Sequence, residues 1–200
     1  KIFSVKANVF AELNLEIDKS LLQGKTIISF MAGVTIKEIK DKFKNIKNVL
    51  RAMPNLAIQN GNGVMAISVE DENNIIKPDI KLFLEGLFSP LGFVLYINEN
   101  ELEKVTALSA CGLGFIAYMM NSMLESGIQL GFSYELSNDI IKQTMLGVLD
   151  FNNYNELLNK VATKGGATEA GLKALSDGNV AISINNAFKA AYDKTKNMLD

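Results

Sequence analysis

The strongest constraint on how this chain can fold is a change of period near residue 100. Before it, short apolar runs with strand character alternate with helical segments. After it, apolar residues recur at the three-and-four spacing of helices. In the first half "KIFSVK", "KTIISFMAGV", "NVLRAMPN", "GNGVMAISV" and "FVLYINE" read as strands, with Pro54 ending the third. Between them "VFAELNLEIDKSLL", "IKEIKDKFK" and "KPDIKLFLEGLFSPLG" read as helices. Thr35 with Glu38 three residues on is a capping box, and Pro78 suits a first helical turn. Strands alternating with helices predict an α/β unit with a mostly parallel sheet. From "ENELEKVTALSACGLGFIAYMMNSMLESG" onward the chain reads as five helical segments, and no strand is convincing. The pattern predicts two domains, 1–99 and 100–200, meeting near Glu99–Asn100 without a flexible linker.

Composition narrows the chemistry. The chain has no histidine, which excludes Ser-His-Asp triads, Cys-His pairs and ordinary zinc sites. No metal centre is expected. Catalysis would rest on hydroxyls, lysines, carboxylates, backbone groups or a cofactor. Cys111 is the only cysteine, so a disulfide framework is excluded and a reducing cytoplasm is the expected compartment. A net charge of −2 gives no general attraction to nucleic acid or acidic lipid. The lysines between Lys37 and Lys47 are broken up by Glu38 and Asp41 and read as a solvated helix face. The chain opens in mid-strand with no signal-peptide pattern, as a fragment or processed product would. Val105 to Leu124 carries no charge and has the length of a membrane span. Its Thr106, Ser109, Asn121 and Ser122, and the lack of a basic flank, point instead to a buried core or subunit-interface helix.

Three places could carry chemistry. Gly112-Leu113-Gly114-Phe115-Ile116-Ala117 fits the G-x-G-x-x-[GA] pattern of dinucleotide turns. "KVTAL" before it could pass for the required strand, but only helical segments come after it, so the βαβ setting is missing. Within "VATKGGATEAG", Gly165-Gly166 before a helix would offer backbone donors to a carboxylate, with Thr163 and Thr168 adding hydroxyls. An ordinary helix–helix turn, with Thr168 as N-cap and Gly171 for close packing, reads equally well. The third place is the set of strand ends "SVKAN", "MAGV" and "RAMPN", because open α/β sheets bind ligands at the carboxyl ends of strands.

These blocks, in this order, resemble the pyrroline-5-carboxylate reductase family. "KTIISFMAGV" is similar to its K-x-[IV]-I-S-x-x-A-G-V, "RAMPN" to R-x-M-P-N, and "VTALSACGLGF" to V-T-A-L-S-G-S-G-P-A-[YF]. "ATKGGATEAGL" is similar to [TS]-x-P-G-G-[TA]-T-x-x-G-L, and "SVKAN" to A-V-K-P-Q. The resemblance spans essentially the whole chain. It implies part of an NAD(P)-binding Rossmann domain followed by an all-α dimerisation domain whose helices interleave with a partner's, in a homodimer or higher oligomer. It also implies reduction of 1-pyrroline-5-carboxylate to L-proline with NADPH or NADH. Ser4, Val5, Lys6, Ala7, Ala32, Gly33 and Asn55 would then contact the cofactor. Thr163, Gly166, Ala167 and Thr168 would hold the substrate carboxylate, with the Thr168 hydroxyl, the catalytic candidate, close to the ring nitrogen. Ser109 and Cys111 would approach the substrate.

The family's G-x-G turn and the some sixty residues after it have no counterpart in this sequence, so the pyrophosphate turn is expected upstream of Lys1. The sequence also departs from the pattern at Ala7 for Pro, Cys111 for Ser, Leu113-Gly114 for Pro-Ala and Lys164 for Pro. An inactive, dimerising fragment of such a reductase is the alternative expectation.

Overall fold

The computed structural model of the chain describes residues 1–12, 19–69 and 76–196. Two compact units emerge: Lys1–Leu113 together with the stretch from Phe188, and Gly114–Ala187.

The first unit is built on five strands in the order β1 (Ile2–Phe3), β2 (Thr26–Ser29), β3 (Asn48–Pro54), β4 (Gly63–Val69) and β5 (Gly92–Tyr96). β1, β2 and β3 run parallel, as do β4 and β5; β3 and β4 are antiparallel. The mostly parallel sheet is therefore observed, with one reversal that strand patterning does not reveal. A 3-10 turn over Leu56–Asn60, closed by Gly61, makes the reversal. Pro54 ends β3 as expected, pairing with Met65 as its last residue.

Adjacent residues in a strand face opposite sides of a sheet, and here both sides are apolar. Ile27 and Val49 pack with Phe3, Ile39 and Phe43 on one face. Ile28 and Leu50 pack with Ile67, Leu84 and Phe88 on the other. That two-sided burial is why the strands read as continuous apolar runs. The flanking helices are α1 (Ala7–Glu12), α2 (Ile36–Lys42) and α3 (Pro78–Phe88). The helix expected over 9–22 is seen as the end of α1 and a 3-10 turn at Lys19–Leu22; residues 13–18 lie outside the described residues. Thr35 caps α2 in a complete capping box with Glu38. Lys37 pairs with Asp41 on the solvated face of that helix.

α4 (Leu102–Val105) runs through a π-helical segment, Thr106–Cys111, into α5 (Gly112–Gln129). "KVTAL" is thus helical, not a strand. The second unit holds most of α5, then α6 (Tyr134–Leu149), α7 (Tyr154–Val161), α8 (Ala167–Asp177) and the start of α9 (Val180–Lys196). The last residues of the final helical segment, 197–199, lie outside the described residues.

Of the two expectations for the uncharged Val105–Leu124 stretch, a core helix buried within this chain is not observed: only 11% of the most apolar part of Glu99–Gln129 is covered, as for a helix whose neighbours come from another subunit. A helix that is apolar all round needs neighbours on every side, and a single chain supplies too few. α6 buries only Ser137 and Ile141, and α7, α8 and α9 bury no residue. Tyr118, Leu130 and Leu149 are 75%, 78% and 66% exposed. By length and composition alone, Glu99–Gln129 is also long and apolar enough to cross a membrane.

Candidate functional site

The predicted cofactor residues gather at one edge of the sheet. Phe3 is in register with Ser29, and Ser29 with Arg51. β1 and β2 therefore end at the same level while β3 runs three residues further, to Pro54, and the loops after all three lie at the same edge of the sheet. Ser4–Lys6 come after β1 and lead into Ala7, the first residue of α1. Ser4 and Lys6 are exposed and Val5 packs against the core. The Lys6 carbonyl accepts from the Phe10 amide, so the loop is tied to the helix it starts.

Ala32 and Gly33 form the turn after β2. Gly33 has φ +73°, the left-handed region that costs side-chain-bearing residues about 1–2 kcal/mol. The turn is held from before by buried Ser29, whose Oγ accepts from the Met31 amide at 3.3 Å. Asn55 comes directly after β3. Its amide donates to the Val64 carbonyl and its Oδ1 accepts from the Val64 amide, both at 3.1 Å. The side chain thus extends the β3–β4 ladder past Pro54, which has no N–H to give.

Sequence reasoning missed the charged cluster behind this rim. Arg51, in the middle of an apolar strand, is 1% exposed. Its Nη1 donates to Glu99 Oε1 at 3.1 Å and its Nη2 to Glu103 Oε1 at 3.4 Å. The same Glu99 oxygen accepts from the Ile36 amide at 2.8 Å, at the first residue of α2. A lone arginine inside "VLRAM" was the signal, since a charge buried there needs a partner. A cavity of about 30 Å³ lies against the cluster, lined by Ala32, Gly33, Arg51, Glu103, Thr106 and Thr195.

The π-helical segment carries Ser109 and Cys111. Ser109 Oγ donates back to the Val105 carbonyl at 2.8 Å, and Cys111 is a half-buried free thiol. The Gly112 amide donates to the Ala107 and Ser109 carbonyls. "GLGFIA" therefore lies in continuous helix with its first amide already used, and does not form a phosphate turn. Gly112 serves packing instead: a Cβ there would come within 3.3 Å of Phe188.

The "TKGGAT" loop belongs to the second unit and joins α7 to α8. Gly165 has φ +76°. Its amide donates to Glu169 Oε2 at 2.7 Å, and the Gly166 amide to the Thr163 carbonyl at 2.9 Å. Gly166, not Thr168, is the N-cap of α8, and among the described residues nothing lies within 4 Å of where a Cβ at Gly171 would be. The first backbone bond within α8 runs from Ala170 to Gly166, which leaves the Ala167, Thr168 and Glu169 amides as the helix's outward donors. Thr163, Ala167 and Thr168 are exposed, so the loop gathers four of the predicted carboxylate residues around a positive helix end.

Comparison with known proteins adds a family. Residues 99–198 match the family described as pyrroline-5-carboxylate reductase dimerisation. The chain is 29% identical to the pyrroline-5-carboxylate reductase of Synechocystis over 177 residues, covering 86% of this chain and 65% of that protein. It is 31% identical to the reductase of Schizosaccharomyces pombe, covering 86% of this chain and 62% of that one. It is 30% identical to reductase 1 of Bacillus subtilis, covering 93% and 64%. The chain thus spans less than two thirds of these relatives' lengths. Among solved structures, the Coxiella burnetii pyrroline-5-carboxylate reductase superposes with a TM-score of 0.84 at 27% identity, covering all of this chain and 75% of that one. The Plasmodium falciparum pyrroline carboxylate reductase, solved with NADP bound, shares the fold with a TM-score of 0.89 at 24% identity, covering all of this chain and 79% of that one.

Proposed function

This chain belongs to the pyrroline-5-carboxylate reductase family, and we propose that, in its full-length context, it reduces 1-pyrroline-5-carboxylate to L-proline with NADPH or NADH. The reading rests above all on the convergence of Ser4–Ala7, Ala32–Gly33 and Asn55 at the carboxyl ends of three adjacent parallel strands. Residues 1–99 would be the later part of the nucleotide-binding domain and 100–200 the dimerisation and substrate domain.

The rim suits the flat nicotinamide end of the cofactor. Its side chains at Ser4 and Ala32 are small, and Gly33 adds none. The Asn55 carboxamide nitrogen is the group left to meet a ligand, because its oxygen is bonded to Val64. Gly112–Ala117 does not suit the pyrophosphate, being helical with its first amide already bonded. The nicotinamide, when bound, supplies the hydride.

The chain's own task is positioning. The outward amides of Ala167 and Thr168, with the Thr163 hydroxyl, would anchor the substrate carboxylate at the start of α8. The Thr168 hydroxyl would hydrogen-bond the ring nitrogen and fix the face presented to the cofactor. A protonated imine is already electrophilic, so a chain without histidine needs no strong general acid. The exposed apolar surfaces of α5 and α6 support assembly with a second copy.

The test is steady-state turnover by the full-length protein. Consumption of NADPH should depend on 1-pyrroline-5-carboxylate and match the L-proline formed. A folded dimer without turnover would refute the reading in favour of an inactive, dimerising protein.

A further inference from the structure

We propose that Glu99 is a positioning residue for the cofactor turn, acting through Arg51 and the start of α2. The inference rests on the reductase reading for its functional consequence and on the geometry of the first unit for its structural one.

One carboxylate oxygen, Glu99 Oε1, holds two donors that are distant in sequence: the Ile36 amide at 2.8 Å and Arg51 Nη1 at 3.1 Å. Ile36 is the first residue of α2, where no intrahelical acceptor exists for its amide. The helix's own cap deals with its neighbours: Thr35 Oγ1 accepts from the Glu38 amide, and the Glu38 carboxylate accepts from the Thr35 amide. The Ile36 amide, which the cap leaves free, is met from 63 residues away. Ile36 stands three residues after Gly33, so this bond anchors the far side of the Ala32–Gly33 turn. Ser29 anchors the near side.

Arg51 makes the anchor rigid. It is fully enclosed, and its second nitrogen is taken by Glu103, one helical turn beyond Glu99. Glu99 therefore cannot swing away without leaving a buried guanidinium half-paired. Arg51, Glu103, Ala32 and Gly33 also line one cavity, so the cluster lies directly against the turn. Glu99 itself remains about a third exposed (32%), which allows water to enter if its side chain is shortened.

The variants separate reach from charge. Glu99→Ala removes both bonds. Glu99→Asp keeps the charge near Arg51 but falls short of the Ile36 amide. Glu99→Gln keeps an oxygen for both donors. Amide hydrogen exchange reads the structural part, and NADPH titration with steady-state kinetics reads the functional part.

In Glu99→Ala and Glu99→Asp, the Ile36 amide should exchange about tenfold faster, the scale of one lost charge-assisted bond. The KM for NADPH should rise by a similar factor, with kcat within about threefold of wild type. Glu99→Gln should restore both. Unchanged exchange at Ile36 in Glu99→Asp would overturn the proposal. So would a wild-type KM for NADPH in a variant whose exchange is faster. If the wild-type protein binds no NADPH, the reductase reading fails instead, while the exchange measurement still decides whether Glu99 holds the turn.

Discussion

Replacing Arg51 by methionine tests whether the buried cluster is as demanding as its geometry implies. Methionine fills much of the same volume and leaves two carboxylates without their cation. Glu103 is only 11% exposed at its side chain, so its charge would sit almost dry; Glu99, at 32%, is partly rehydrated. Breaking a buried pair by removing one partner costs about 3–5 kcal/mol. Solvent screening of Glu99 argues for the lower end, about 3 kcal/mol. That is a large share of the roughly 5–15 kcal/mol that holds a domain together. Adding Glu103→Gln should recover about 1–2 kcal/mol, because a neutral amide is cheaper to enclose than an unpaired charge. The chain has no tryptophan, so urea unfolding is best monitored by far-UV circular dichroism. Lys37→Met, which breaks an exposed pair with Asp41 (side chains 85% and 56% exposed), is the control and should leave the urea midpoint essentially unchanged. A loss below about 1 kcal/mol in Arg51→Met, or no recovery on adding Glu103→Gln, would refute the reasoning.

The substrate loop and the sheet give further outcomes. Gly166→Ala would put a Cβ 2.6 Å from Thr163 Oγ1 and 2.9 Å from its carbonyl oxygen, so the substrate KM should rise by about tenfold or more in steady-state assays. Thr168→Ala should lower kcat/KM for 1-pyrroline-5-carboxylate by about 10–100-fold, and Thr168→Ser should restore most of it. Burial of the Tyr96 hydroxyl, with Glu85 nearby, raises its pKa above the usual 10.0. The folded state then holds that proton more tightly than the unfolded one, so stability falls as pH rises above about 10. That hydroxyl has no hydrogen-bond partner among the described residues. Tyr96→Phe should therefore leave neutral-pH melting unchanged or slightly raised, and should blunt the alkaline loss.

How much of this was legible in the sequence depended on how local each cause is. The α2 capping box is written in two residues three apart, and Thr35 and Glu38 form it as expected. The strand ends were legible for the same reason: each loop comes directly after its own apolar run. The antiparallel turn of β4 was not, because strand periodicity carries no direction. The exposure of α5 was not, because a helix apolar on all sides looks alike whether its neighbours come from its own chain or from another. Glu99 and Glu103 were invisible as partners of Arg51 because 48 and 52 residues separate them. "GLGFIA" shows the opposite failure: the letters of a phosphate turn appear, but the helical turn before the glycine takes its amide.

The most direct measurement tracks the hydride. The full-length protein would be incubated with 1-pyrroline-5-carboxylate and NADPH deuterated at its transferable position. Mass spectrometry should find L-proline carrying one deuterium at the former imine carbon, formed in step with cofactor oxidation and reduced in parallel by Thr168→Ala. Unlabelled proline, or no proline from a folded protein that binds NADPH, would contradict the assignment of this chain to imine reduction.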